Sequence, residues 1–506
     1  MGSNNNNLHS NKVLSTGIAG LDAILGGGLT RDRLYLIEGE PGTGKTTTAL
    51  HFLAEGVRLG ESVVYITLAE TAEELRDVAA SHGWTMDGIY IHEVVPEESV
   101  LEPEHQYTMF HPAEVEMGTT TQRILSVIDE RKPTRVVLDS LSELQLLADS
   151  SLRYRRQVLA LKRFFSNRDC TVLFLDDRTA FNGDLQVRSI AHGVIVLEQS
   201  TKDYGGERRR MRIAKYRGIA FRGGMHDYAI VHGGLVVYPR LVASDSRSLK
   251  SLQRMTTGLV ELDSLLGGGL EEGSSTLLAG PPGTGKSSLA AQIVYSALCR
   301  GERAAMFLFE ESKNKLLNRA DSFNMNLRPY LDSCALTIQQ IDPAELSPGE
   351  FSDAVCKEGL NNAKVVVIDS LNGYLHAMPD ERFLTTHLHE LLTYLGQLNV
   401  ATILVGVQHG MLGSNMTTSV DASYLADNVI MLRYFENAAE VRQAISVFKK
   451  RASSHERTIR ELTITNQGIT IGPILRGFHG ILTGVPTYVG DPHENELNPV
   501  PDPLPN

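Results

Sequence analysis

Two nine-residue stretches constrain this chain more than any other feature. GEPGTGKTT runs from Gly39 to Thr47, and GPPGTGKSS runs from Gly280 to Ser288. Each satisfies GxxxxGK[ST]. In that pattern glycines let the backbone wrap a phosphate, successive N–H groups point inward, the lysine reaches the β- and γ-phosphates, and the hydroxyl helps hold a divalent cation. The motif requires a strand before it and a helix after it. Both copies have this context, LYLIEG and STLLAG before, TTALHFLAEGVRLG and SLAAQIVYSALCRG after. The candidate ATP-binding residues are Gly39, Gly42, Thr43, Gly44, Lys45, Thr46 and Thr47, and Gly280, Gly283, Thr284, Gly285, Lys286, Ser287 and Ser288.

The loops belong to a longer repeat. STGIAGLDAILGGGL from Ser15 and TTGLVELDSLLGGGL from Thr256 hold one register, 241 residues apart at Thr16 and Thr257 and again at Lys45 and Lys286. That period is too long for a solenoid unit, so each copy is a whole domain. The polar stretch RLVASDSRSLKSLQRM, 240–255, reads as a linker. The expected organisation is a disordered arm over 1–11, a first domain over 12–245, a second over 246–490, and a disordered acidic, proline-rich tail over 491–506. Five short apolar runs in each copy alternate with longer mixed segments: LYLIEG, SVVYITLA, RVVLDSL, TVLFLDD and GVIVLEQ, then STLLAG, RAAMFLFEE, KVVVIDSL, ATILVGV and NVIMLRY. Continuous β-branched runs between helices predict α/β domains with mostly parallel central sheets buried on both faces.

Composition narrows the function classes. The 506 residues carry a net charge of −12, which disfavours a nonspecific nucleic-acid binder. The four cysteines show no CxxC spacing, so neither a zinc site nor a disulfide framework is expected, and a reducing cytoplasm fits. No apolar run approaches the ~20 residues that cross a bilayer.

Chemistry beyond the loops requires acids and bases. The strands TRVVLDSL and KVVVIDSL offer Asp139 and Asp369 as partners of Thr46 and Ser287 in holding Mg²⁺. The spacing from loop lysine to aspartate is 94 residues in copy one (Lys45 to Asp139) and 83 in copy two (Lys286 to Asp369), so copy one carries extra residues, placed around EPEHQYTMFHPAEVEMG. The strand after the loop helix ends in FLFEES in copy two, giving Glu310 and Glu311. In copy one YITLAET leaves Ala69 and Glu70. These glutamates are the candidate groups that orient or deprotonate the attacking water. Basic residues recur at equivalent places, Lys215 and Arg217 in one copy, Lys449 and Arg451 in the other. A charge run is usually a solvated face, but in ring ATPases such residues reach a neighbour's γ-phosphate.

The duplicated loop together with EESKNKLLNRADSFNM, VVVIDSLN, VFKKRASSHERTIRELTITNQGITIG, GFHGILTGVPT, AETAEELRDVAASHGW and IAKYRG closely resembles the KaiC family of circadian-clock ATPases and autokinases, over about residues 12–490. The resemblance implies two tandem RecA-like P-loop domains, stacked as the two rings of a homohexamer with ATP between protomers. It implies an ATPase in the first domain and, in the second, transfer of phosphate to a Ser/Thr pair on the neighbouring subunit. Aligned on Asp427, that pair falls on Ser423 and Tyr424, and a further family threonine falls on Thr418. Glu310 would take the hydroxyl proton. The serine is kept and the threonine is a tyrosine, whose oxygen stands farther from the backbone. Partners implied are KaiB-like or other signalling proteins. The tail lacks the helical pattern expected of a KaiA docking segment. Two other readings stand beside this one: a nucleic-acid motor or recombinase of the same superfamily, disfavoured by the acidic charge and the duplication of the whole core, and a nucleotide-organised scaffold with little turnover.

Overall fold

The protein is described by a computed structural model over residues 13–94, 112–148, 150–177, 185–201, 205–242, 253–342, 344–376, 383–407, 424–437, 439–481, 487–488 and 490. The arm, most of the linker, the tail, Thr418 and Ser423 lie outside these residues. Contacts divide the chain into two compact units, 1–240 and 241–506.

In the first unit the sheet strands are β1 (Leu34–Gly39), β2 (Val63–Thr67), β3 (Ile89–Glu93), β4 (Arg135–Asp139), β5 (Thr171–Asp177), β6 (Gly193–Ser200), β7 (Arg208–Tyr216), β8 (His226–Val231) and β9 (Gly234–Tyr238). They lie in the order β9-β8-β7-β6-β1-β5-β4-β2-β3. The six strands from β6 to β3 run parallel, and β6 to β9 pair antiparallel.

The second unit repeats this with β10 (Ser275–Gly280), β11 (Arg303–Leu308), β12 (Leu336–Gln340), β13 (Ala363–Asp369), β14 (Ala401–Val407), β15 (Asn428–Asn437), β16 (Glu440–Lys450), β17 (Arg460–Thr465) and β18 (Gly468–Ile474). Their order, β18-β17-β16-β15-β10-β14-β13-β11-β12, matches the first strand for strand. All ten apolar runs read from the sequence are strands. The more polar antiparallel extensions and the parallel edge strands β3 and β12 were not among them.

Both faces of each sheet are covered, which is why the central strands read as unbroken apolar runs. Along β1, Tyr35 and Ile37 enter one core and Leu34 and Leu36 the other. Along β10, Leu278 faces one core while Leu277 and Ala279 face its opposite. The repeated TG…LD…LGGG segment closes the edge of each core. Asp22 accepts from the Thr16 N–H and hydroxyl at 2.8 and 2.7 Å, and Asp263 does the same for Thr257. The extra length of copy one appears partly as the helix Pro112–Arg131, 20 residues against 13 for Pro348–Leu360.

One buried charge distinguishes the first unit. Arg135, at the start of β4, is fully buried. Its Nε donates to Glu61 Oε2 at 2.5 Å, and its Nη1 donates to the carbonyls of Ser15 and Phe52 at 2.8 and 2.9 Å. It thus ties the unit's first residues and its loop helix to the sheet. The corresponding residue of the second unit is the buried Val365. Replacing Arg135 removes its Glu61 pair and both carbonyl bonds, while Glu61 keeps Arg31 at 3.3 Å, so the cost is on the order of a few kcal/mol. Arg135→Met is therefore expected to lower the first unit's thermal unfolding midpoint in calorimetry while leaving the second unit's transition in place. An unchanged first transition would refute the assignment.

Candidate functional site

The phosphate loops follow directly from the strands before them. β1 and β10 end at Gly39 and Gly280, and the helices Lys45–Arg58 and Lys286–Cys299 begin six residues later. The residue at each helix N-cap is Gly44 or Gly285, both left-handed at φ 89° and 90°. A side chain is excluded there twice over: by φ, and by Ile230 Cδ1 at 2.8 Å or Ile464 Cδ1 at 2.1 Å from where a Cβ would stand. The antiparallel extension of each sheet supplies those backing groups, and Tyr228 from β8 donates its hydroxyl to the Thr43 carbonyl at 2.6 Å. Thr43 and Thr284 are fully buried and staple the loop, donating to Glu40 O at 2.7 Å and Pro281 O at 2.9 Å. Gly42 and Gly283 are also left-handed. Thr47 and Ser288 turn into the unit, with the Thr47 hydroxyl 3.4 Å from His82 Nε2.

The two loop lysines have different surroundings. Lys45 donates to Gly39 O at 3.0 Å and Glu40 O at 3.1 Å, and its Nζ lies 2.5 Å from Asp177 Oδ1. Lys286 is buried and donates to Gly280 O at 2.9 Å and Pro281 O at 2.7 Å. Burial lowers its pKa to about 8, against the opposing pull of Asp369 and Glu310.

The parallel strands bring the acids to the same edge. Asp139 ends β4, where it is paired across with Thr67 of β2. It accepts from the Tyr65 hydroxyl at 2.5 Å and hydrogen-bonds Thr46. Asp369 ends β13 and hydrogen-bonds Ser287. Burial raises the pKa of both aspartates, and Asp369 Oδ2 is buried without a hydrogen-bond partner. A hydroxyl and a carboxylate beside a phosphate loop suit Mg²⁺, which keeps waters and phosphate oxygens as its other ligands. Among the described residues no cluster of three or more acidic, His or Cys side chains forms a metal cage.

The glutamates after β2 and β11 separate in role. Glu310 accepts from the Ser370 hydroxyl at 2.9 Å, and that hydroxyl in turn accepts from the Gly373 N–H at 3.1 Å. Glu311 pairs with Arg319 at 2.7 Å. Glu70 has a buried Oε2 with no partner, and burial followed by the Asp139 charge raises its pKa. Sequence reasoning missed Asp177, Tyr65, Arg319 and Ser370. The only local signal was the contrast of LDD with VGV at two equivalent strand ends.

The basic pairs are not brought to the loop of their own unit. Lys215 is opposite Val194 at the start of β6, and Lys449 is opposite Val429 at the start of β15. Those strand beginnings are roughly 10 Å or more along the sheet from the loops. Lys215 donates to the carbonyls of Arg188, Ser189 and Ala191 at 2.5, 3.1 and 2.7 Å, and Arg217 donates to Ser189 O at 3.0 Å. Lys449 donates to Ala426 O at 2.8 Å and Arg451 to Tyr424 O at 2.6 Å. Tyr424 is exposed, just before β15 and beside Arg451. The residue between each basic pair points the other way, as strand alternation requires. Tyr216 donates to Gly28 O at 2.9 Å, and the buried Lys450 pairs with Glu271 at 2.8 Å.

The Lys286 environment generates a pH dependence. In the empty loop the lysine is charged below about pH 8 and neutral above it, whereas a bound polyphosphate favours the charged form. Binding above pH 8 therefore takes up a proton, and affinity weakens as pH rises. Fluorescent ATP-analogue titration of a Lys45→Ala chain, which isolates the second loop, should show binding about tenfold weaker at pH 9 than at pH 7. A flat profile over that range would contradict the assigned burial.

Comparison with known proteins agrees with this geometry. The family model described as "ATPase: KaiC" matches residues 14–242 and again 255–476. The circadian clock protein KaiC3 of Synechocystis is 28% identical over 497 residues, covering 96% of both chains. The circadian clock oscillator protein KaiC of Synechococcus elongatus is 29% identical over 511 residues, covering 98% of this chain and 96% of that one. That of Parathermosynechococcus lividus is 27% identical, covering 96% and 90%. With both halves matched and the paired phosphate loops in place, the chain belongs to the KaiC ATPase family.

Proposed function

We propose that the protein is a Mg-ATP-dependent double-ring ATPase and serine/threonine autokinase that acts in signalling or timing. Both loops bind ATP between protomers of a homohexamer, with the metal held by Thr46 and Asp139 in the first site and by Ser287 and Asp369 in the second. The first site hydrolyses ATP, with Glu70 beside the attacking water. The second transfers phosphate, mainly to Ser423, with Tyr424 and Thr418 as lesser acceptors. The domain limits of 12–245 and 246–490, and KaiB-like signalling partners, form part of the same reading.

The observation that carries this is the polarity of each sheet. Loop and acids lie at the strand ends, whereas Arg451 and Tyr424 lie at the strand beginnings. Tyr424 lies at the opposite edge of the sheet from the loop of its own unit, and Ser423 is its neighbour in sequence. A second copy presented edge to edge solves this, and places Lys449 and Arg451, or Lys215 and Arg217, against the neighbour's γ-phosphate. There the serine oxygen attacks the γ-phosphorus, the bond to the β–γ bridging oxygen breaks, ADP leaves, and the hydroxyl proton passes to Glu310. Ser370 holds Glu310 in place for that task. The bound cation supplies charge neutralisation on the phosphates.

The test is incubation with Mg-ATP followed by phosphosite mapping over residues 417–424. Lys286→Ala should lower self-phosphorylation at least ~100-fold. Mixing Lys286→Ala chains with Ser423→Ala chains should place phosphate on Ser423 of the loop-deficient chain. Phosphate at the wild-type level in Lys286→Ala alone would overturn the second loop as donor. Absence of label from the loop-deficient chain in the mixture would overturn transfer between copies.

A further inference from the structure

The two sites keep their carboxylates in different places. In the second unit Glu310 stands after β11 and is fixed by Ser370. The corresponding residue of the first unit is Ala69. At the end of the strand between the aspartate strand and the loop strand the relation reverses. β5 ends in Asp177, paired in register with Gly39, whereas β14 ends in Val407, paired with Gly280. Compared with the second site, the first lacks a carboxylate on one side of β4 and carries one on the other.

Asp177 is held as a site residue is held. Its Oδ1 lies 2.5 Å from Lys45 Nζ. Its N–H donates to the Ser142 hydroxyl at 3.0 Å, and that hydroxyl donates to Asp176 Oδ1 at 2.8 Å. The second unit fixes the same backbone position by another means, the Val407 N–H donating to Asn372 Oδ1 at 2.8 Å. The strand end is therefore positioned in both units, and only the first carries an acid on it. The lysine of such a loop reaches the β- and γ-phosphates, so a carboxylate touching its Nζ borders the γ-phosphate.

We propose that Asp177 is a catalytic residue of the first site, taking the proton of the attacking water in place of the glutamate that Ala69 lacks. This rests on the reading of the first site as hydrolytic. The water oxygen attacks the γ-phosphorus, and the bond from that phosphorus to the β–γ bridging oxygen breaks. ADP leaves with the electron pair, and the water proton passes to the Asp177 carboxylate and then to solvent. Lys45 lies between the carboxylate and the phosphate charge, so the two anions share one cation. Glu70 remains the second carboxylate, on the β2 side.

The experiment uses the full chain carrying Lys286→Ala, so that only first-site turnover is read. Asp177→Asn should lower kcat ~100-fold or more with KM changed less than about threefold. Asp177→Glu should keep kcat within about tenfold. Asp177→Val, which reproduces the second unit's residue, should be inactive, and adding Ala69→Glu should recover at least ~10-fold. Unchanged kcat with tighter nucleotide binding in Asp177→Asn would overturn the proposal, since Asp177 would then only occupy Lys45 in the empty loop. So would an Ala69→Glu/Asp177→Val chain that binds a fluorescent ATP analogue normally yet gains no turnover. A Lys286→Ala parent no faster than the Lys45→Ala/Lys286→Ala chain would remove the hydrolytic reading itself, and this proposal with it.

Discussion

A parallel sheet has a direction. Six strands running the same way place every strand end on one edge and every strand beginning on the other. In each unit the phosphate loop follows a strand end, Asp139 or Asp369 forms one, and Glu70 or Glu310 and Glu311 come just after one. The paired basic residues and Tyr424 all adjoin strand beginnings. No side chain is long enough to abolish that separation. Each unit thus carries its phosphate loop and acids on one edge and its paired basic residues on the other, and everything proposed about assembly follows from this one constraint.

Duplication preserved the backbone and let the side chains diverge. Strand order, loop geometry and the threonine staples are the same in both units. The charges around the loops are not. Lys286 has burial and two carbonyls, whereas Lys45 has two carbonyls and a carboxylate. Glu38, the residue before the first loop, is buried and accepts from Arg188 Nε at 2.7 Å, and its counterpart is Ala279. Burial also raises the neighbouring Asp176 to about 6. The same cradle therefore sits in a more ionic setting in the first unit than in the second.

The parts legible in the sequence were those whose meaning is local. The loops, the strands that precede them and the aspartates at the ends of VVLD and VVID all declare themselves within a few residues. What stayed hidden depended on pairings between distant segments. Asp177 matters because register sets it opposite Gly39, and Tyr65 because it crosses to Asp139, 74 residues away. Glu310 and Glu311 read as an equivalent pair until Ser370 and Arg319 are seen to hold one each. Likewise, KYR and KKR read as charge runs, although strand alternation turns the middle residue of each inward.

That inward residue has a consequence of its own. Lys450 is buried against Glu271 and the carbonyls of Leu266 and Gly269, inside the glycine-rich segment that opens its own unit. A slip of β16 by one residue would drive Arg451 or Lys449 toward that acid and turn Lys450 outward. The buried ion pair thus acts as a ratchet tooth for the strand, admitting one setting only. Whatever reach Lys449 and Arg451 have toward another molecule is calibrated by a contact that never leaves the interior.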